Sequence, residues 1–236
     1  MTIEGKNSAA AGEEREIILA LEAIVSLNEI NKGEQTMSKR GMWSLKLSTA
    51  SLVLIPAAVA INYIGKSFAG VLKLPLWLDA IGTILASMLA GPIVGALCGA
   101  INNIIYGLTM DPVSFIYAIT SMAIGLVVGI MAYQGWVTSF WKAFMIGVVV
   151  AVVSAVVSTP INIWFWRGQT GNIWGDALYA LLIAHKNPVW LSSFLDEFVV
   201  DLPDKIATVM IGYWIFKGLP KKLTVLYNND NKTETL

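Results

Sequence analysis

Six apolar stretches lie between Trp43 and Phe216, and the strongly polar residues inside them gather toward one side. Backbone groups in hydrocarbon must be hydrogen-bonded within the protein, so stretches of this kind cross a bilayer as helices. With an inward N-terminus, Asn62, Asp79, Asn102, Asn103, Asn162, Glu197 and Asp201 all fall in the outer half of the membrane. The inner halves carry mainly small apolar and hydroxyl residues. Such a bundle reads as a receptacle opening outward, not as a continuous charged path through the bilayer.

The chain has 236 residues, 56% of them hydrophobic and 14% charged, with a mean hydropathy of +0.66. These values belong to an integral membrane protein. One crossing takes about 20 apolar residues, so six crossings use most of the length and leave no room for a soluble catalytic domain. The formal net charge of +0 gives no sign of nucleic-acid binding. A lone cysteine, Cys98, excludes an internal disulfide framework.

Residues 1–40 read as a polar cytosolic extension, interrupted only by Ile17 to Leu27, which is too short to span and follows Glu13, Glu14 and Glu16. A secretory signal has a basic start and a small-residue cleavage site, and neither is present. The segment is expected to be a solvated extension, an upstream start before Met37, or a short surface helix. Residues 41–222 form the six-helix membrane domain, and residues 223–236 a polar cytosolic tail.

The expected spans are Leu45 to Ile64, Leu76 to Leu89, Ile93 to Leu108, a fourth opened by Asp111-Pro112 and ending near Tyr133, Trp141 to Trp166, and Val189 to Phe216. Lys66, Gly70 and Pro75 mark the first loop. Gly91-Pro92 is a turn signal, and Arg167 to Pro188 is a long polar loop. Lys39, Arg40, Lys46, Lys142, Lys217, Lys221 and Lys222 would face the cytoplasm, against Lys66, Lys73, Arg167 and Lys186 outside. That excess places both termini inside. Aromatic residues, among them Trp43, Trp141 and Trp214 at one edge and Trp77, Trp164 and Trp190 at the other, mark the two interfaces.

Small residues recur four apart: Gly91, Gly95 and Gly99, then Gly125 and Gly129, then Gly147, Ala151 and Ala155. This spacing lets helix backbones approach closely in lipid. In the first helix Pro56, Ala57, Ala58 and Ala60 make a smooth patch, suited either to internal packing or to docking against another membrane protein.

The last helix carries Glu197, Asp201, Asp204 and Lys205 on one face. A charge near the bilayer centre costs about 2.5–3.5 kcal/mol, and four facing lipid would cost on the order of 10 kcal/mol. They therefore face the bundle interior or water. Asp201 and Lys205 can pair along the helix, while Asn62, Asn102, Asn103 and Asn162 supply amide donors and Asp79 a further acceptor. The set forms either a network that fixes helix registry or the wall of an outward-facing solute cavity. Confinement to one leaflet favours the cavity. Tyr63 to Leu74 and Trp164 to Trp190 are its expected covers, the second bearing Trp166, Gln169, Asn172, Trp174, Tyr179 and Asn187, whose rings and amides suit a large heteroatom-rich molecule.

There is no P-loop sequence for ATP. The single histidine, His185, cannot build a metallohydrolase. No serine has a histidine partner in the same helical stretch. No catalytic residue and no metal ligand is assigned.

Leu78-Asp79-Ala80-Ile81-Gly82-Thr83, Gly91-Pro92 with Gly95 and Gly99, and Asn102-Asn103 resemble helices two and three of the substrate-binding S-components of energy-coupling factor (ECF) vitamin transporters. Asp201-Leu202-Pro203-Asp204-Lys205 and Lys217-Gly218-Leu219-Pro220-Lys221-Lys222 are similar to their last helix. The likeness spans about Gly41 to Lys222 and is strongest to cobalamin-specific members. It implies a multi-pass subunit of a bacterial cell membrane that captures a vitamin from outside. Such a subunit delivers it by toppling on a transmembrane coupling subunit driven by two cytosolic ATPases. The substrate would be cobalamin, or else riboflavin or a queuosine precursor, with no resident cofactor. Substrate contacts are expected from Asn62, Tyr63, Asp79, Asn103, Asn162, Trp166, Trp174, Glu197 and Asp201. The family docks through an Ala-x-x-x-Ala face on helix one; here the nearest match is Pro56-x-x-x-Ala60, with Ala57 beside it. A stand-alone secondary transporter with helix-six carboxylates as a proton relay is the alternative, and an intramembrane enzyme ranks last.

Overall fold

The computed structural model describes residues 49–228, apart from the side chains of residues 221, 222, 225 and 228. The extension at 1–40, Trp43, the start of the first helix at Leu45 and the end of the tail lie outside the described residues. Within them the chain is an all-helical membrane protein: α1 (Thr49–Leu72), α2 (Ile81–Ala90), α3 (Pro92–Thr109), α4 (Ala118–Tyr133), α5 (Phe140–Trp166), α6 (Ile173–Ala184), α7 (Val189–Gly218) and α8 (Lys221–Asn228). Short 3-10 turns at Pro112–Phe115 and Trp136–Thr138 precede α4 and α5.

Among the described residues, α1, α3 and α5 are long and apolar enough to cross a membrane. The 30-residue α7 is longer but carries the charged face. α2 and α4, at 10 and 16 residues, rise only about 15 and 24 Å, less than a hydrocarbon core of about 30 Å.

α2 is the hub. All ten of its residues are buried. Ile84 and Met88 join Ile124, Val128, Ile146, Val150 and Val209 in one core cluster. Leu85 and Leu89 join Leu54, Val94 and Cys98 in a second. A helix apolar on every side can be buried on every side, and Ile81–Ala90 has no charged residue.

The small-residue repeats are internal. A Cβ at Gly95 would lie 3.1 Å from Gly125 O, one at Gly125 would meet Ala96 N at 2.6 Å, and one at Gly99 would meet Ser121 O at 2.6 Å. The α3 and α4 stripes thus face one another at backbone contact. Gly147 approaches α7, where an added Cβ would come within 2.8 Å of Ile206 Cα.

Four boundaries differ from expectation. Asp111-Pro112 opens a 3-10 turn, in which Asp111 Oδ1 accepts from Val113 N at 3.1 Å, and α4 itself begins only at Ala118. The other three have tertiary reasons. α1 continues past Ile64 to Leu72, because Lys66 finds partners inside the fold: its Nζ donates to Ser114 Oγ at 3.0 Å and sits 4.4 Å from the Tyr106 ring. α2 begins at Ile81 instead of Leu76. The N–H groups of Trp77 and Leu78, which an earlier start would turn into the helix, donate to Asp204 Oδ1 at 3.0 and 2.9 Å, and Leu78 has φ +49°. The loop expected over 167–188 contains α6, whose first turn is capped by Asn172 accepting from Trp174 N at 3.1 Å.

The two ends of the bundle differ. At one, segments 73–80, 110–117 and 167–172 meet through Lys66–Ser114, Asp204–Trp77 and Thr170–Asp196 contacts. At the other, Lys217 Nζ donates to Thr138 O at 3.3 Å, and Leu219 and Tyr227 pack beside Leu89 and Ala90.

Candidate functional site

Where the three segments meet, a partly enclosed cavity of about 140 Å³ opens between α4, α5 and α7. Charged groups border it: Asp79, Glu197, Asp201 and Lys205, with Lys66 and Asp111. Hydroxyls line much of the rest, including Ser121, Ser154, Ser158 and Thr170. A second cavity of about 380 Å³ shares Lys66, Trp77 and Asp111 with the first and reaches out to Lys73, Tyr106 and Trp174.

α7 supplies the charged floor because its residues at four-residue spacing share a face. Lys205 Nζ lies 2.6 Å from Asp204 Oδ2, 3.4 Å from Asp201 Oδ1 and 3.5 Å from Asp79 Oδ1. The pairing of Asp201 with Lys205 is therefore part of a larger cluster. Asp204 uses its other oxygen to hold the 73–80 segment, so one ion-pair cluster both shapes the cavity wall and charges it. Glu197 Oε2 accepts from Asn162 Nδ2 at 2.8 Å, and Asn162 Oδ1 accepts from the Tyr117 hydroxyl at 2.5 Å. Asn162 orients Glu197 and Tyr117 from α5 and is fully buried behind them.

The nine expected substrate contacts separate into groups. Asp79, Glu197 and Asp201 border the inner cavity, and Trp174 borders the outer one. Asn62 does not reach either. Its Oδ1 accepts from the N–H of Gly82 at 2.6 Å and of Thr83 at 3.3 Å, and its Nδ2 donates to Thr83 Oγ1 at 2.8 Å. Ala80, at the N-cap position of α2, offers no side-chain bond, so Asn62 caps α2 from the neighbouring helix. Asn103 is likewise structural, donating to Gly99 O at 3.0 Å and Ser121 Oγ at 2.6 Å across the α3–α4 seam. Tyr63 lies against Tyr106, ring centroids 5.2 Å apart, and Trp166 borders neither cavity.

Sequence reasoning left Lys66, Trp77, Asp111, Tyr117 and Thr170 out of the site, and it placed Lys205 in the polar wall without naming it as a substrate contact. Lys205 was legible as the one cation on the α7 face. Asp111 and Thr170 carry no signal beyond being polar loop residues.

The docking candidates Pro56, Ala57 and Ala60 are exposed on α1. Pro56 and Ala60, with Tyr63, border an apolar groove between α1 and α3. Ala58 points the opposite way, buried against α2, where Gly82 leaves space for its carbonyl. Among the described residues no group of three or more His, Cys, Asp or Glu is placed to hold a metal ion.

No curated protein and no solved structure matches this chain. Residues 33–162 match the 5TM-5TMR_LYT family, described as 5TMR of 5TMR-LYT. The match runs from before α1 to near the end of α5, taking in Asp79 and Asn162, while the acidic α7 lies beyond it. Covering more than half of the sequence, it shows that the chain belongs to the 5TM-5TMR_LYT family of membrane proteins.

Proposed function

We propose that the chain is a solute-capturing subunit of a membrane importer, working as the S-components of ECF vitamin transporters do. The observation that carries this reading is the polar cavity at one end of an otherwise apolar bundle. Intramembrane charges are costly and mark solute or ion pathways, and here Asp79, Glu197, Asp201 and Lys205 border open space even though Lys205 pairs with three carboxylates. In this reading α1, α2, α3, α4, α5 and α7 make six crossings, with both termini in the cytoplasm of a bacterial cell. The short α2 is completed by the 73–80 segment, whose irregular backbone is allowed at membrane depth because it lines a cavity. The cavity then faces outward.

Size bears on the substrate. Pockets for drug-sized ligands run to roughly 300–1,000 Å³, so about 140 Å³ suits a smaller solute or one part of a larger one. A corrinoid would require the 167–172 segment and α6 to move away. Cobalamin remains the substrate that the sequence resemblance implies, and the cavity favours something more compact.

The test is binding by the purified chain in lipid nanodiscs, measured by calorimetry against cobalamin, riboflavin, a queuosine precursor and smaller water-soluble vitamins. Val113 is half-buried at the cavity wall. Val113→Trp should fill the space and weaken binding of whichever solute is captured by about tenfold or more, with the unfolding temperature unchanged. Absence of binding to every solute sinks the proposal.

Partner dependence is tested separately. A tryptophan at Ala57 or Ala60 would roughen the exposed α1 face, so Ala57→Trp and Ala60→Trp should abolish ATP-dependent uptake in cells while leaving solute binding intact. Uptake by the chain alone in vesicles, driven by a proton gradient without ATP, would instead assign the α7 carboxylates to a proton relay.

A further inference from the structure

Charge does not balance in the inner cavity. Four carboxylates, Asp79, Asp111, Glu197 and Asp201, border it against two ammonium groups, Lys66 and Lys205, and Lys205 is shared among Asp79, Asp201 and Asp204. Lys205 makes its shortest contact with Asp204, which borders the cluster from behind. Lys66 stands at the cavity too, but its Nζ is engaged by Ser114 and the Tyr106 ring.

Asp201 is left over. It is 1% exposed, it borders the cavity, and neither of its oxygens accepts a hydrogen bond. Among the described residues its one ion-pair partner is Lys205 at 3.4 Å, shared with two other carboxylates. Glu197 stands one turn earlier on the same face, with one oxygen held by Asn162. A buried carboxylate whose ion-pair partner is shared with two others, and whose oxygens accept no hydrogen bond, is costly and keeps room for a further donor. Two carboxylates one helical turn apart, beside open space and serine hydroxyls, form a receptor for positive charge and hydrogen-bond donors.

We infer that the captured solute carries a compact cationic group, an ammonium or amidinium, which binds between Asp201 and Glu197. This deepens the solute-capture reading and rests on it. The absence of a three-ligand acidic or histidine cluster among the described residues points to an organic cation over a metal ion. The outer cavity, with Trp77, Tyr106 and Trp174, receives the rest of the solute, and flat rings there favour an aromatic body.

Three isosteric probes isolate the charge: benzamidinium chloride, benzamide and sodium benzoate, with choline chloride as a second cation. Each is titrated into the full chain in nanodiscs of zwitterionic lipid. Benzamidinium should bind saturably and about tenfold or more tighter than benzamide, with benzoate weakest, since a hydrogen bond to a charged group is worth at least that factor. Asp201→Asn should remove the preference for the cation, and Val113→Trp should block binding. Should Asp201→Asn fail to fold, the rank order on the unaltered chain decides the matter. Equal affinity for benzamidinium and benzamide, or a preference for benzoate, overturns the inference. So does cation binding that survives Asp201→Asn in a folded protein. If the cations fail while a neutral or anionic solute binds and is blocked by Val113→Trp, the charge assignment falls and solute capture stands. If nothing binds, both fall.

Discussion

Lys205→Met is expected to destabilise the folded bundle by about 3–5 kcal/mol, the usual cost of removing one partner from a buried ion pair. Lys205 is 2% exposed and reaches three carboxylates. Methionine matches its length and packs the same space, so the loss is electrostatic and not steric. Asp79, Asp201 and Asp204 would lose the ammonium they share, and among the described residues only Asp79 of the three keeps a cation, Lys66, in its neighbourhood. The damage should spread to the 73–80 segment, because Asp204 holds the N–H groups of Trp77 and Leu78. Thermal unfolding in mild detergent reads the effect as a large drop in midpoint. The double variant Lys205→Met with Asp201→Asn should recover part of it, since one orphaned charge is removed with the lysine. Unfolding of the single variant at the unaltered temperature would show that these carboxylates are already neutralised by other means.

The long apolar helices were legible because their pattern is local. α3, α5 and α7 begin and end within two residues of the expected spans, and the glycine stripes of α3 and α4 meet as their spacing implies. What escaped was set by distant partners. Nothing near Leu76 in sequence says that Asp204, 126 residues from Leu78, will capture the local backbone. α6 was readable in principle, since Asn172 stands as an N-cap before an apolar run, but the surrounding polar residues argued for a loop.

The site shows the same division. That Glu197, Asp201, Asp204 and Lys205 share a helical face follows from spacing alone. The amides cannot be sorted that way, because Asn62, Asn103 and Asn162 offer identical chemistry. Only packing reveals that the first caps α2, the second bridges α3 and α4, and the third holds Glu197. The idea that every polar residue in one leaflet serves a solute is therefore too broad. Part of the asymmetry comes from helices needing internal bonds in a medium without water, and the remainder gathers at the cavity.

Asn62→Leu separates these two roles and carries the second large expected effect. Leucine at this fully buried position removes the acceptor for Gly82 N–H and Thr83 N–H and the donor to Thr83 Oγ1. Two buried backbone donors left unpaired cost about 1–3 kcal/mol each, so the loss should be about 2–6 kcal/mol. Neither donor has an intrahelical partner, since both lie in the first turn of α2. α2 is the hub of both core clusters, so its fraying should lower the midpoint for the whole bundle. Asn62→Asp keeps the acceptor oxygen at a helix N-terminus, where negative charge is favoured, and should be much milder than Asn62→Leu. Equal damage from both would mean that side-chain shape, not capping, is what this position requires. In either variant the fraction that remains folded should bind solute with unaltered affinity, because Asn62 borders neither cavity. Weakened binding by that folded fraction would return Asn62 to the solute-contacting set.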